Sequence, residues 1–207
     1  MNNNIKVILF DLGRVLMHID FDAFPNGLGL TTNELRSQYD HAMVQHTVRN
    51  YETGKISTNE FLDLLYEIFQ QNFSREKILN AFDAIIVSDN QEIIPIVENV
   101  RRHYRIAVLS NTCPSHWEKV LRISSVIKLF PDVFTSFQLG AMKPSPIVYE
   151  QVCVLMNVKP QEVIFIDDLK ENIEGAIALG MKGITFNNVN QIKFLLKKEN
   201  EKKNHLK

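Results

Sequence analysis

Four short runs, IKVILF (5–10), RIAVL (105–109), VIFI (163–166) and GITF (183–186), are apolar at consecutive positions rather than alternate ones. Consecutive apolar residues suit a strand covered on both faces, and such strands belong to parallel sheets with helices above and below. A weaker run, VFTSF, lies at 133–137. Helical patterns separate the later runs. Ser115, with Glu118 three residues on, reads as a capping box at the head of HWEKVLRI. Ser145-Pro146 opens IVYEQVCVLMN, with proline where a first helical turn tolerates it. Glu171 to Leu179 reads as a helix that stops at Gly180.

This alternation implies an α/β fold: a doubly wound parallel sheet with a Rossmann-like core. Residues 17–90 read differently. Thr31-x-x-Glu34 and Ser57-x-x-Glu60 look like helix starts, and FLDLLYEIF (61–69) and ILNAFDAII (78–86) carry apolar residues at helical spacing. No convincing strand is read there. The expected organisation is therefore an α/β core from 1–16 and 91–196, an inserted helical cap at 17–90, and a flexible Lys-rich tail at 197–207. Loops at the carboxyl ends of strands are where α/β sheets bind ligands, so an insertion after the first strand is placed to act as a lid.

Composition narrows the class. A chain of 207 residues, 45% apolar, buries roughly 70% of its extended surface, enough for one substantial core and a smaller module. The net charge of −1 divides into +3 on residues 197–207 and −4 on the remainder. No aromatic residue stands beside the tail lysines to stack on bases, so nucleic acid is not the expected partner. The two cysteines, Cys113 and Cys153, have no metal-like or redox spacing, which fits a reducing compartment. Cys113 is expected to be a buried, inert thiol. With neither a signal-like apolar segment nor a membrane-length one, a cytoplasmic protein is expected, as a monomer or weak homodimer.

Chemistry-bearing residues collect at the strand ends. Asp11 follows VILF, Ser110-Asn111 follow IAVL, Asp167-Asp168 follow VIFI, and Lys143 stands in GAMKPSP. Converging strand tips would gather three carboxylates, one ammonium, a hydroxyl and several loop N–H groups. Three clustered carboxylates repel one another unless neutralised. Lys143 supplies one positive charge and a divalent, oxygen-loving cation the other two, for which Mg²⁺ is suited. Such a cation would polarise a phosphoryl oxygen, leaving Asp11 placed as a nucleophile that splits one hard step into two.

FDLGRVL, VLSNT, MKPSPIVYE and FIDDLKENIEGA together resemble, in order and over nearly the whole chain, the four motifs of the haloacid dehalogenase-like hydrolase superfamily. The pattern is similar to the small-helical-cap branch that includes bacterial glucose-1-phosphate phosphatases and the phosphatase domain of soluble epoxide hydrolases. The resemblance implies a Mg²⁺-dependent phosphatase acting on a small phosphorylated metabolite, such as a sugar phosphate, through an aspartyl-phosphate. It implies Asp11 as nucleophile, Ser110 and Asn111 as phosphate ligands, and Lys143 as charge clamp. Asp11, Asp168 and the Gly13 carbonyl would hold the metal, with Asp167 acting through water or outer contacts. Asn172 would steady Lys143 or the metal loop.

One departure stands out. Family phosphatases usually carry a second Asp two residues after the nucleophile, to protonate the leaving oxygen and then activate water; here that residue is Gly13. A positioned acid–base group is worth about 10²–10⁴-fold. Three outcomes are open: a leaving group that needs no acid, a substitute such as His18 or Asp20, or a non-catalytic phospho-ligand or partner-binding module. A metal-independent dehalogenase is a further alternative, though it gains nothing from Asp167-Asp168. His41, His46 and Arg49 are the polar candidates for substrate choice in the insertion.

Overall fold

The structure is a computed structural model that describes residues 5–190 and 192; the Lys-rich tail at 197–207 lies outside the described residues. β1 (Val7–Phe10) leads into β2 (Met17–Ile19). Five helices follow: α1 (Ala23–Leu28), α2 (Thr32–Gln38), α3 (His41–Glu52), α4 (Thr58–Ile68) and α5 (Arg75–Asp83). After β3 (Ile86–Asp89) and α6 (Ile94–Val100) come β4 (Arg105–Ser110), α7 (Pro114–Ile123), β5 (Asp132–Thr135) and α8 (Ser136–Leu139). The chain continues through α9 (Pro146–Met156), β6 (Val163–Asp167), α10 (Lys170–Leu179) and β7 (Lys182–Thr185).

Five strands form one parallel sheet in the order β5-β4-β1-β6-β7. Each face has its own core, as the pleat requires. Ile8 and Phe10 pack with Val97, Ile127 and Phe130 on one side. Val7 and Leu9 pack with Val148, Tyr149 and Phe165 on the other. Between β1 and its neighbours the strand order reverses direction, which opens a crevice at the carboxyl end of β1.

The inserted helices build a third core around Phe24, Tyr51, Phe61, Leu65, Phe69 and Phe82, which Cys113 from the sheet side joins. Tyr51 stacks on Phe61 with ring centroids 4.3 Å apart. Both helix starts expected in the insertion form, as capping boxes at Thr31/Glu34 and Ser57/Glu60.

Two expectations need correction. Residues 17–90 do contain strands: β2 and β3 pair antiparallel where the chain leaves for the insertion and returns from it, with an irregularity between His18 and Ile19. The helical reading of 78–86 overran accordingly, because α5 ends at Asp83 and Ile86 belongs to β3. Ser115 does not cap α7. Pro114 starts that helix two residues earlier, Cys113 is its N-cap, and the Ser115 N–H donates to the Tyr51 hydroxyl at 3.0 Å. Among the described residues no helix is long and apolar enough to cross a membrane.

Candidate active site

Asp11 is the first residue beyond β1, and its N–H donates to the Ile166 carbonyl at 2.8 Å. That bond holds it level with the ends of β4 and β6. Asp11, Asp167 and Asp168 each place a carboxylate oxygen within 4.8 Å of the others. Lys143 arrives from the loop before α9. Its Nζ donates to Asp11 Oδ1 at 2.5 Å and to Asp167 Oδ2 at 2.6 Å, with the lysine side chain 2% exposed.

The neighbouring hydrogen bonds separate the acids by role. Asp167 accepts from Lys143, from the Leu169 N–H at 2.9 Å and from Asn172 Nδ2 at 2.9 Å. Its oxygens are occupied by protein donors, which suits it to holding the cluster together. Asn172 therefore steadies the acidic loop rather than Lys143, and is itself held by Tyr149, whose hydroxyl donates to its carbonyl at 2.7 Å. Asp168 has one long contact, from Arg14 at 3.5 Å. Asn111 pins the Lys143 loop: it accepts the Lys143 N–H at 2.8 Å and donates to the Lys143 carbonyl at 3.0 Å. Its amide is thus engaged in both directions. Ser110 is buried at the tip of β4 and lines the cavity above the cluster.

Three carboxylates against one buried ammonium leave an excess of two negative charges. Burial raises the Asp11 carboxyl above its ordinary range; Lys143 opposes that rise, and Asp167 and Asp168 add to it. Asp168 is raised too, by burial and by Asp167, with Arg14 opposing. For Lys143, burial alone would lower the pKa, but Asp11 and Asp167 outweigh it and the ammonium is held charged. An all-oxygen donor set with a two-charge deficit matches a hard divalent cation. Asp11 and Asp168 are the side chains left to bind it, with the Gly13 backbone beside them on the same cavity wall.

A cavity of about 480 Å³ lies over this floor. Phe21, Phe24, Leu35, Val44, Phe82 and Ile85 make much of its roof. Of the polar candidates, His41 lines it, but His46 and Arg49 are exposed and do not. Neither His18 nor Asp20 lines it; Asp20 instead accepts the Asp22 N–H. Glu52 and His116 do line it, and the sequence reading passed over both. Arg14 takes a left-handed backbone (φ 56°) and sets its guanidinium over the Phe21 ring at 5.1 Å. Cys113 is buried in the insertion's core, and burial pushes its thiol up to about 12.

The haloacid dehalogenase-like hydrolase profile matches residues 5–180. The D-ribitol-5-phosphate phosphatase of Bacteroides thetaiotaomicron is 28% identical over 187 residues, covering 86% of this chain and 90% of its own. The phosphoglycolate phosphatase of Haemophilus influenzae is 26% identical, covering 90% and 88%. A HAD family enzyme from Bacteroides thetaiotaomicron, solved in complex with magnesium and inorganic phosphate, superposes with a TM-score of 0.78 at 26% identity, covering 89% and 95%. With the motifs meeting at one crevice and the profile spanning nearly the whole chain, this protein belongs to the haloacid dehalogenase-like hydrolases.

Proposed function

We propose that the chain is a Mg²⁺-dependent phosphatase that hydrolyses a small phosphate monoester through an aspartyl-phosphate on Asp11, with 17–90 as its cap. The observation that carries this reading is the bridge from Lys143 to Asp11 and Asp167, with Asp168 in the same cluster. A purely structural domain gains nothing from burying two acids around one ammonium with a third acid half-buried beside them. Phosphatase relatives that cover most of the chain support the reaction class, and the magnesium-bound neighbour supports the metal.

In this reading an Asp11 oxygen attacks phosphorus while Lys143 neutralises charge beside it. Ser110 and the Asn111 N–H hold the phosphoryl oxygens, since the Thr112 N–H is already given to Ser136. The apolar roof keeps bulk water out, which strengthens each of these interactions. Mg²⁺, held by Asp11, Asp168 and the Gly13 carbonyl, would supply Lewis-acid charge neutralisation and orientation. A sugar or polyol phosphate is the finer reading, supported by the ribitol-phosphate relative.

The test is phosphate release from a panel of sugar, polyol and aryl phosphates, with Mg²⁺ or EDTA. Turnover should need the metal, and Asp11→Asn should lower it by at least roughly 10³-fold. Turnover that survives Asp11→Asn, or no turnover on any substrate with metal present, would overturn the reading. EDTA-resistant release of halide from a haloacid would indicate the dehalogenase instead.

A further inference from the structure

Position 13 lacks a carboxyl, and the space beside it is taken. A Cβ built on Gly13 falls on the terminal methyl of Ile19, from β2. If the chain is a phosphatase, as read above, a proton donor for the leaving oxygen must come from another part of the cavity. We propose that Glu52, the last residue of α3, is that acid–base group.

Placement is the first argument. α3 runs along the cavity with His41, Val44, Gln45, Val48 and Glu52 on its wall, a spacing of three and four residues that marks one helical face. Its Glu52 end is fixed to the phosphoryl-binding side. Ser136 Oγ lies 2.6 Å from the Glu52 carbonyl and 3.0 Å from the Thr112 carbonyl, and accepts the Thr112 N–H at 3.0 Å. Thr112 is two residues past Ser110 and lines the same cavity.

Elimination is the second argument. The other titratable side chains on the cavity wall, outside the acidic cluster and Lys143, are Arg14, His41 and His116. Arg14 is turned to the Phe21 ring and to Asp168, at the edge of the acidic cluster. His116 is committed to the roof: its Nε2 bonds the Phe82 carbonyl at 3.0 Å, and its ring stacks on Phe82 with centroids 4.3 Å apart. His41 begins α3, about 16 Å along the axis from Glu52 at 1.5 Å per residue.

Environment is the third. No hydrogen bond or ion pair to the Glu52 carboxyl is found among the described residues, and burial pushes it up to about 7, with Arg49 on its own helix opposing. Cys113, the N-cap of α7, faces it, with Asp83 beyond Cys113; His116 shares the cavity wall, and Ser136 from α8 meets the Glu52 backbone carbonyl. Burial keeps the Cys113 thiol and the His116 ring uncharged. A carboxyl balanced between its acid and base forms near neutral pH suits both halves of the reaction.

In the first half an Asp11 oxygen bonds to phosphorus as the bond to the leaving oxygen breaks. That oxygen keeps the electron pair and takes the proton from Glu52, which becomes a carboxylate. In the second half water bonds to phosphorus and its proton goes to Glu52. The Asp11–phosphorus bond breaks with its electron pair returning to Asp11, and inorganic phosphate leaves.

The test compares p-nitrophenyl phosphate, whose leaving group needs little protonation, with an alkyl phosphate, in wild type, Glu52→Gln and Glu52→Asp, all with Mg²⁺. Glu52→Gln should lose roughly 10²-fold or more in kcat/KM on the alkyl ester and about tenfold or less on the aryl ester. Acid quenching should trap more phosphorylated Glu52→Gln protein than wild type, and Glu52→Asp should recover part of the alkyl rate. Equal losses on both esters, or none, with wild type active and the variants folded by melting temperature, would overturn the assignment to Glu52 alone. A wild type inert on both esters and on the wider panel would instead remove the phosphatase reading, and this assignment with it.

Discussion

A carboxyl held in an apolar roof has a consequence for stability that is separate from its chemistry. Glu52 binds a proton up to about 7 in the folded protein, whereas an unfolded glutamate releases it near 4.3. Between those values the folded state holds more protons than the unfolded one, so stability falls as pH rises through the window. The penalty approaches roughly 4 kcal/mol above pH 7. Glu52→Gln removes it, so the variant should melt higher than wild type at pH 8, with the gap closing by about pH 4; thermal melts across that range check this. The residues at strand ends, Asp11, Ser110, Asp167 and Asp168, were legible in the sequence because each ends or follows an apolar run at a crevice, whereas Lys143, in the loop before α9, was legible only through its MKPSP motif. Glu52 was not, because helical spacing defines faces without saying which one meets the cavity. His46 lies on the far side of α3 and Arg49 is exposed at the margin of the face that 41, 45, 48 and 52 present to the cavity.

At the scale of elements, the two-stranded ribbon is the joint between sheet and insertion, and Asp89 anchors it. Its carboxylate accepts from Ser124 Oγ at 2.5 Å, Ser125 N at 2.8 Å, Ser125 Oγ at 2.7 Å and Val126 N at 3.2 Å. Burial alone would raise its pKa, but these four donors outweigh it and hold the carboxyl below its ordinary range. The stabilisation is therefore present at neutral pH and is lost as pH falls below about 4. Asp89→Ala leaves the buried Ser124 Oγ and Val126 N–H without this acceptor, while the exposed Ser125 turns to water, and should cost about 1–3 kcal/mol at pH 7, read by urea unfolding. β2 and β3 escaped the sequence reading because they have three and four residues and their partners lie about 70 positions apart. A pairing so short and so distant leaves no local periodicity. The amphipathic helices and the helix starts at Thr31 and Ser57 were legible because both signals lie within a few residues of each other, whereas Ser115-x-x-Glu118 misled because Pro114 already opens α7.

For the whole molecule, the order of strands and helices was readable from hydrophobic runs, since strands covered on both faces require helices on both sides of the sheet. How the roof seats on the sheet was not readable. It depends on contacts between remote segments: Tyr51 with Ser115, Phe82 with His116, and Lys119 Nζ with the Asp83 carbonyl at 2.7 Å. All three lie along α7, so the cavity is closed on that side; the exposed residues of its lining are Arg14, Phe21, Gln45 and Leu169, and solvent reaches it along them. Arg14 therefore stands where an approaching dianion first meets the protein, and it gives a nearly neutral molecule a cationic threshold. Capture should then depend on dissolved salt. Raising ionic strength from about 0.01 M to 1 M shortens the screening length from roughly 30 Å to 3 Å, and kcat/KM should fall several-fold over that range. In Arg14→Ala the same titration should be nearly flat, and a wild type equally insensitive would mean that substrates reach the crevice without electrostatic guidance.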